Sequence, residues 1–393
     1  MQNKTNSNRL TFKLIRRIWR VYPVFRLAVG KGVDSVSAGT AKKYVFRLID
    51  LLRWYLRYGE VLHYYYIFGF ERKSHKQQDE YLSWVELDRI RESINRILVN
   101  REQPQNYRIL TFDKFAANNY LNYLGIPCVT NEALIKNGYV VWQGGMTAAL
   151  DSLFTAGLGV LFLKPVDGWG GTGVIRADAA AGTFRYGGES HTLDELGKVL
   201  KGKIWVVQKE VKQHPEINRI SPKTVNTMRI ITILKDHKPV FLTSTMRLAA
   251  GDSIVDNWDK GSISVGIDYA TGTLMADGYL KPKGLKIGKC LKHPDTNIEL
   301  KGFVIPFYKE AVDMCLNGHE YHYGTFMVGW DVAITPEGPI IIEVNCEPTL
   351  HAQQLAHGGL RRQIKEIEAS YISRDSQVKR TLSLRREESH TIK

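Results

Sequence analysis

Gly329-Trp330-Asp331, followed by Ile340-Ile341-Ile342-Glu343-Val344-Asn345, is the stretch that decides how this chain reads. Both segments suit strands. Pro336-Glu337-Gly338 between them fits a three-residue hairpin loop, with Pro where φ is fixed at about −65° and Gly at the left-handed bulge position. Pairing outward from an odd-numbered loop sets Asp331 opposite Glu343, and period-two alternation puts Asn345 on the same face. Two carboxylates and a side-chain carbonyl grouped in this way are hard oxygen donors. They suit Mg²⁺, which keeps several waters and is usually completed by substrate phosphates. The competing reading is an ordinary polar strand face.

The chain has 393 residues, 44% of them hydrophobic, so it can bury a full core and divide into two or three lobes. Its net charge of +14 is uneven: residues 1–60 hold 13 Lys/Arg against 3 Asp/Glu. The excess cation therefore sits far in sequence from the carboxylate hairpin. Four scattered cysteines, Cys128, Cys290, Cys315 and Cys346, fit a reducing compartment and no disulfide framework. Cys290/His293 with Cys315/His319 lack the spacing of a paired-cysteine zinc motif. No apolar run reaches the roughly 18–20 residues of a membrane-spanning helix, and no signal-peptide pattern opens the chain. A cytoplasmic protein is expected, with the inner face of the membrane as a site of peripheral contact.

Residues 10–28 and 41–58 interleave Leu, Ile, Trp, Tyr and Phe with Lys13, Arg16, Arg17, Arg20, Arg26, Lys42, Lys43, Arg47, Arg53 and Arg57, and Pro23 should interrupt the first helix. Two readings stay open: a helical cap packed on the core, which is preferred, or an amphipathic helix on an anionic bilayer surface. Nucleic acid is disfavoured as a partner, since no recognition module accompanies the charge. A further helix is expected over Tyr81–Val99. Gln103-Pro104-Gln105-Asn106 marks a boundary, giving a basic, mostly helical region 1–105, a core 106–370 with a lid subdomain at about 140–211, and a basic, frayed tail 371–393.

Val160–Pro165 reads as a buried strand running into Asp167-Gly168-Trp169-Gly170-Gly171-Thr172-Gly173. Gly168, Gly170 and Gly173 satisfy G-x-G-x-x-G, but Val174-Ile175-Arg176 continues as a strand where a Rossmann motif would open a helix. Val174 also stands where a Walker loop needs its Lys. Glycines between two strands make a hairpin lid whose free N–H groups can cover a triphosphate, with Lys164 supplying a point charge; a plain loop is the competing reading. Protein kinases use such a hairpin too, but their H-R-D and D-F-G sequences are missing. Lys114 opens a helix expected over Phe115–Leu124, where an anion is the usual occupant, so a bound phosphate would explain it; the alternative is an exposed lysine. The strand Ile204–Gln208, running into Lys209-Glu210-Val211, could serve as a hinge facing an adenine. Arg229 and Arg247 lie on expected strands, Val225–Ile233 and Phe241–Leu248, where buried guanidiniums point to anion contact.

In this order the parts resemble the ATP-grasp superfamily over residues ~106–365, most closely its sugar-transfer-associated and teichuronopeptide-synthesis-like branches. The carriers are Asp113-Lys114 before a helix ending in Gly-Ile-Pro, Lys164-Pro165 with the glycine loop, Gln208–Val211, Asn226-Thr227-Met228-Arg229, Met246-Arg247 with Asp256-Asn257 and Gly261, then Asp331, Glu343 and Asn345. The resemblance implies an α+β fold of two lobes gripping ATP. It implies that Lys114, Lys164 and Gly168, Gly170, Gly171 and Gly173 hold the phosphates, that Gln208, Lys209, Glu210 and Val211 hold adenine, and that Glu216 binds the ribose. Arg229 and Arg247, with Lys164, would act in catalysis, and Asp331, Glu343 and Asn345 would bind two Mg²⁺ ions, with Mn²⁺ as a substitute. The implied activity is a carboxylate–amine ligase working through an acylphosphate, on small-molecule or glycan-linked substrates, with a small-molecule kinase or a non-catalytic nucleotide binder as rivals. Two positions depart from D-alanine ligase-like members: Gln208 replaces an acidic residue, and Gly329 replaces an arginine two residues before the metal aspartate.

Overall fold

The computed structural model describes residues 27–28, 44–99, 109–168, 173–178, 181–186, 189–251, 261–283 and 286–391. Most of the first basic segment, the Gln103–Asn106 boundary, Asp256-Asn257, and Gly170 and Gly171 lie outside them. The chain divides into two compact units: Met1–Ser93 with Tyr279–Lys289 and Thr349–Lys393, and Ile94–Gly278 with Cys290–Pro348. The division thus differs from the sequence boundaries. The C-terminal residues from Thr349 group with the N-terminal region, because Gln354 exchanges hydrogen bonds with the Leu82 backbone and Arg361 reaches Glu86 at 2.9 Å.

The first unit is helical in its described N-terminal part, with helices at Tyr44–Tyr58, His75–Gln78 and the start of Trp84–Leu98. Ser83 caps the last of these by accepting from the Glu86 N–H at 2.9 Å. Trp54, Tyr65, Phe68, Phe70 and Tyr81 form a buried aromatic core, packed largely edge to face, as between Trp54 and Phe70 at 5.7 Å. At the other end of the chain, the expected frayed tail is helical: Arg361–Thr391 is one continuous helix. Its early turns are held by the Lys365–Glu368 pair at 2.6 Å and by buried Ile364, Ile367 and Tyr371, an apolar set at helical spacing. Among the described residues no helix is long and apolar enough to cross a membrane.

The second unit carries the strands, apart from the strand residues within 279–289, which fall in the first. In chain order they are β1 Asn131–Lys136, β2 Tyr139–Trp142, β3 Thr147–Ala149, β4 Val160–Pro165, β5 Ile175–Asp178, β6 Thr183–Tyr186, β7 Glu189–His191, β8 Trp205–Lys209, β9 Thr227–Lys235, β10 Lys238–Leu248, β11 Ile263–Ile267, β12 Leu274–Lys283, β13 Lys286–Cys290, β14 Met327–Thr335 and β15 Gly338–Asn345. The first eight form one sheet, ordered β3-β2-β1-β8-β4-β5-β6-β7. Alternation along β4 sends Leu161, Leu163 and Pro165 into a core shared with Ile135, Phe184, Leu196 and Trp205. Lys164 therefore points to the opposite, partly exposed face. In the second sheet, the strands lying wholly in this unit run β11-β10-β9-β14-β15. The helix Tyr308–Glu320 covers one face of it, with Gly318 making room for Trp330: a Cβ there would meet the indole at 2.9 Å.

The decisive hairpin reaches the expected register by another route. Thr335 pairs with Gly338, so the loop is the two residues Pro336-Glu337, and the odd residue is absorbed as a bulge between Asp331 and Val332. Thr335 closes the turn through its hydroxyl, which donates to the Gly338 carbonyl at 2.9 Å and accepts from the Glu337 N–H at 3.2 Å. Beyond the bulge, Asp331 faces Glu343 and Gly329 faces Asn345.

Candidate functional site

Register builds the site. Thr245 pairs with Arg229, Arg229 with Asp331 and Asp331 with Glu343, so four neighbouring strands present one continuous row. Asp331 is buried, and both arginines turn toward it. Arg229 donates from Nε to Oδ1 and from Nη2 to Oδ2 at 3.0 Å, while Arg247 Nη2 reaches Oδ2 at 2.7 Å. Burial pushes the Asp331 carboxyl up, but the two guanidiniums and their hydrogen bonds outweigh it and hold the group below its ordinary value. Arg247 is steadied by Thr227, which accepts from its Nε at 3.2 Å. In the sequence Thr227 stands out only as part of Asn226-Thr227-Met228-Arg229, with no role of its own. Its position two residues before Arg229, hence on the same strand face, was the available signal.

Lys114 carries a second set of contacts. The helix it opens is Lys114–Tyr123, one residue earlier than expected, and Asp113 is its cap, with Oδ1 accepting from the Ala116 N–H at 2.9 Å. Asp113 supplies the anion that this helix end favours. The Lys114 ammonium lies 3.3 Å from Glu343 Oε1 and donates to the carbonyl of Gly168, while its backbone N–H donates to Val166 at 3.0 Å. One side chain thus joins the glycine hairpin to a carboxylate of the row. Gly168 and Gly173, the described ends of that loop, both lie over Pro165: a Cβ on either would meet its ring at 3.2–3.3 Å. Gly173 also has φ +83°, which glycine adopts without strain.

Asp331, Glu343 and Asn345 present hard oxygens on one face, and Asn345 Nδ2 is buried without a hydrogen-bond partner. That donor set fits a hard divalent cation such as Mg²⁺. Among the described residues no three His, Cys, Asp or Glu are grouped to hold a metal. Two carboxylates and one amide would leave positions for water and phosphate oxygens. His319, considered with Cys315 at the sequence level, has both ring nitrogens bonded within the protein.

The segment expected to hold adenine is placed differently from the carboxylate row. Gln208 is buried on β8 and donates to Asn131 Oδ1 at 3.0 Å, with its own Oε1 unpaired. Lys209 pairs with Glu132 at 3.3 Å, and the Glu210 N–H donates to Val160. Lys209, Glu210 and Val211 line a cavity of about 920 Å³ with Pro127, Met314 and Ile340. None of Lys114, Arg229, Asp331 or Glu343 borders it, and Glu216 does not either. Glu216 stands exposed on the helix Pro215–Ile220, paired with Arg219 at 3.1 Å. Gly329 is closed rather than open. A Cβ there would come within 2.7 Å of Pro348 Cβ, so proline occupies the space over that strand position.

The sequence matches the sugar-transfer associated ATP-grasp family over residues 103–369. A search of curated proteins returns no match. Among solved structures, the D-alanine–D-alanine ligase from Coxiella burnetii is similar at 11% identity over 71% of this chain and 63% of that one, with a TM-score of 0.41. The Bacillus anthracis D-alanine–D-alanine ligase shares 16% over 68% and 71% (TM-score 0.37), and the D-cycloserine synthetase DcsG 10% over 67% and 71% (TM-score 0.37). Overlaps this distant leave the assignment to the family match and to the two-sheet α/β architecture described above. Because the matched region spans more than half of its residues, the chain belongs to the sugar-transfer associated ATP-grasp family.

Proposed function

We propose that this protein is an ATP-dependent carboxylate–amine ligase. The observation that carries the reading is the cross-strand row Arg229–Asp331–Glu343, tied by Lys114 to the glycine hairpin. Such a row offers cations for phosphoryl oxygens and carboxylates for a hard metal on one surface, which is what phosphoryl transfer requires of a protein. Asp331, Glu343 and Asn345 would hold Mg²⁺, which when bound offsets charge on the phosphates. Lys114 and Lys164 would hold the triphosphate under the glycine hairpin, and Gln208–Val211 would hold the base.

In the reaction, a substrate carboxylate oxygen attacks the γ-phosphorus, the bond to the β-phosphate oxygen breaks, and ADP leaves. The amine nitrogen then attacks the acyl carbon, inorganic phosphate departs and the nitrogen loses a proton. Arg229 and Arg247 would stabilise the transferring group, and closure of the hairpin would exclude water from the acylphosphate. No side-chain nucleophile takes part. The family description favours an acid or amine attached to a glycan or its precursor.

Incubation of the protein with ATP, Mg²⁺, candidate acids and hydroxylamine tests the proposal. A hydroxamate with matching ADP release supports it, whereas a stable phosphorylated alcohol would assign the site to a kinase.

A further inference from the structure

The helix Tyr44–Tyr58 is apolar on two faces. Its inner face is committed to the first unit, where Leu51 and Trp54 are buried and Asp50 accepts from the Tyr65 hydroxyl at 2.7 Å and from Gln78 at 2.9 Å. Its outer face carries Val45, Ile49, Leu52 and Leu56 at the spacing that stacks side chains along one side of a helix, with Phe46 beside them. Val45 is 60% exposed, Phe46 57%, Ile49 46% and Leu56 82%. A contiguous apolar patch left in water marks an interaction site.

Charge indicates what covers it. Arg53 and Arg57 flank the stripe and share a single carboxylate, Asp79, at 2.5 and 2.9 Å, so the rim is net basic. Residues 1–43, immediately ahead in sequence, hold ten Lys/Arg and one acidic residue, Asp34. Folding that segment over the stripe would set cation against cation, and so would a second copy of the same face. An anionic bilayer avoids both conflicts, because headgroups meet the cations while acyl chains take the apolar residues. Tyr44 and Tyr55 suit the interfacial depth, where amphipathic rings concentrate.

We propose that Val45, Phe46, Ile49 and Leu56, rimmed by Arg53 and Arg57, seat this protein on an anionic lipid surface with the helix lying in the interfacial plane. The seat is independent of the ligase reading, since none of these residues belongs to the candidate active site.

Sedimentation of the full-length protein with vesicles of phosphatidylcholine alone, or of phosphatidylcholine with phosphatidylglycerol, tests the seat. Binding is expected to the anionic vesicles only, and to be weakened by high salt. I49Q/L56Q should lower the bound fraction on the order of tenfold, with unchanged helical circular dichroism, while I49L/L56I retains binding. Because I49Q/L56Q keeps every basic residue, equal binding by this variant would overturn the proposal. So would wild-type protein that ignores anionic vesicles, or a self-association lost in I49Q/L56Q without any lipid binding. If I49Q/L56Q loses helical signal, the single variant L56Q, at the most exposed position, decides by the same readout.

Discussion

Arg229 and Asp331 face each other in register across β9 and β14, and the guanidinium donates to both carboxylate oxygens of a buried aspartate. The pair is held in a low-dielectric setting, so loss of one partner leaves an uncompensated charge. Arg229→Met should destabilise the fold by about 3 kcal/mol, the lower end for a broken buried pair, because Arg247 remains. The pH dependence has a sign. The folded Asp331 carboxyl lies below its ordinary 3.8, so its contribution is complete above that pH and is lost as pH falls through the lowered folded value. The variant, with less depression, should begin acid unfolding at higher pH, as thermal melts across pH 2–5 would show.

Lys114 and Glu343 lead to a prediction about order of binding. In the structure each carboxylate of the row already has a protein cation: Asp331 the arginines, Glu343 the lysine. A metal arriving alone competes with those cations, whereas a metal arriving with a triphosphate gives them phosphate oxygens in exchange. Mn²⁺ followed by electron paramagnetic resonance should therefore bind weakly without nucleotide and tightly with ATP. Lys114→Met should strengthen nucleotide-free Mn²⁺ binding and weaken ATP binding. Equal Mn²⁺ affinity with and without ATP in the wild type would refute the exchange.

Glu343→Gln keeps shape and removes a charge. On the proposed assignment of Glu343 as a metal ligand, its loss should exceed the roughly 10–100-fold typical of outer-shell changes, so metal affinity and turnover should both fall by more than about 100-fold. The side chain is only partly buried, so thermal stability should change little. Normal turnover in Glu343→Gln would overturn its assignment to the metal.

Gly329 shows how far the sequence could be read. Its departure from the ligase pattern was visible as a residue, but its reason was not, because Pro348 approaches it only through the folded chain. Gly329→Ala should cost about 1–3 kcal/mol from overpacking, measurable by denaturant unfolding. Elsewhere, legibility followed periodicity. The strands carrying Arg229 and Asp331, and their shared face, follow from alternation and apolar content. The pairing of Asp331 with Glu343 was reached through a three-residue loop that does not form, because Thr335 hydrogen-bonds locally and tightens the turn, and a bulge restores the register. The resemblance assigns Glu216 to the ribose, but Pro215 starts a helix there and Glu216 is exposed on it. The cations on the carboxylates were not legible at all, since alternation fixes faces and not side-chain reach.

Behind the Asp331 strand, a buried polar chain should make the protein sensitive to mild acid. Trp330 Nε1 donates to Thr232 Oγ1 at 2.8 Å, the Thr232 hydroxyl donates to His319 Nδ1 at 2.7 Å, and His319 Nε2 donates to the Thr325 carbonyl at 2.9 Å. That order of donors requires a neutral imidazole with its proton on Nε2. Protonation would turn Nδ1 into a donor and leave the Thr232 hydroxyl hydrogen without its acceptor. Burial pushes the His319 pKa down from 6.5 to about 3, and burial lowers that of the adjacent His322 as well. Unfolding frees both to protonate. Their stabilisation is therefore complete above about pH 6.5 and is lost progressively as pH falls toward the depressed folded values, at up to about 1.4 kcal/mol per pH unit for each group. His319→Gln should cost about 1–3 kcal/mol at pH 7 through a broken buried hydrogen bond, yet flatten the fall in melting temperature between pH 6.5 and 4. A variant as acid-sensitive as the wild type in that window would show that His319 does not carry the effect.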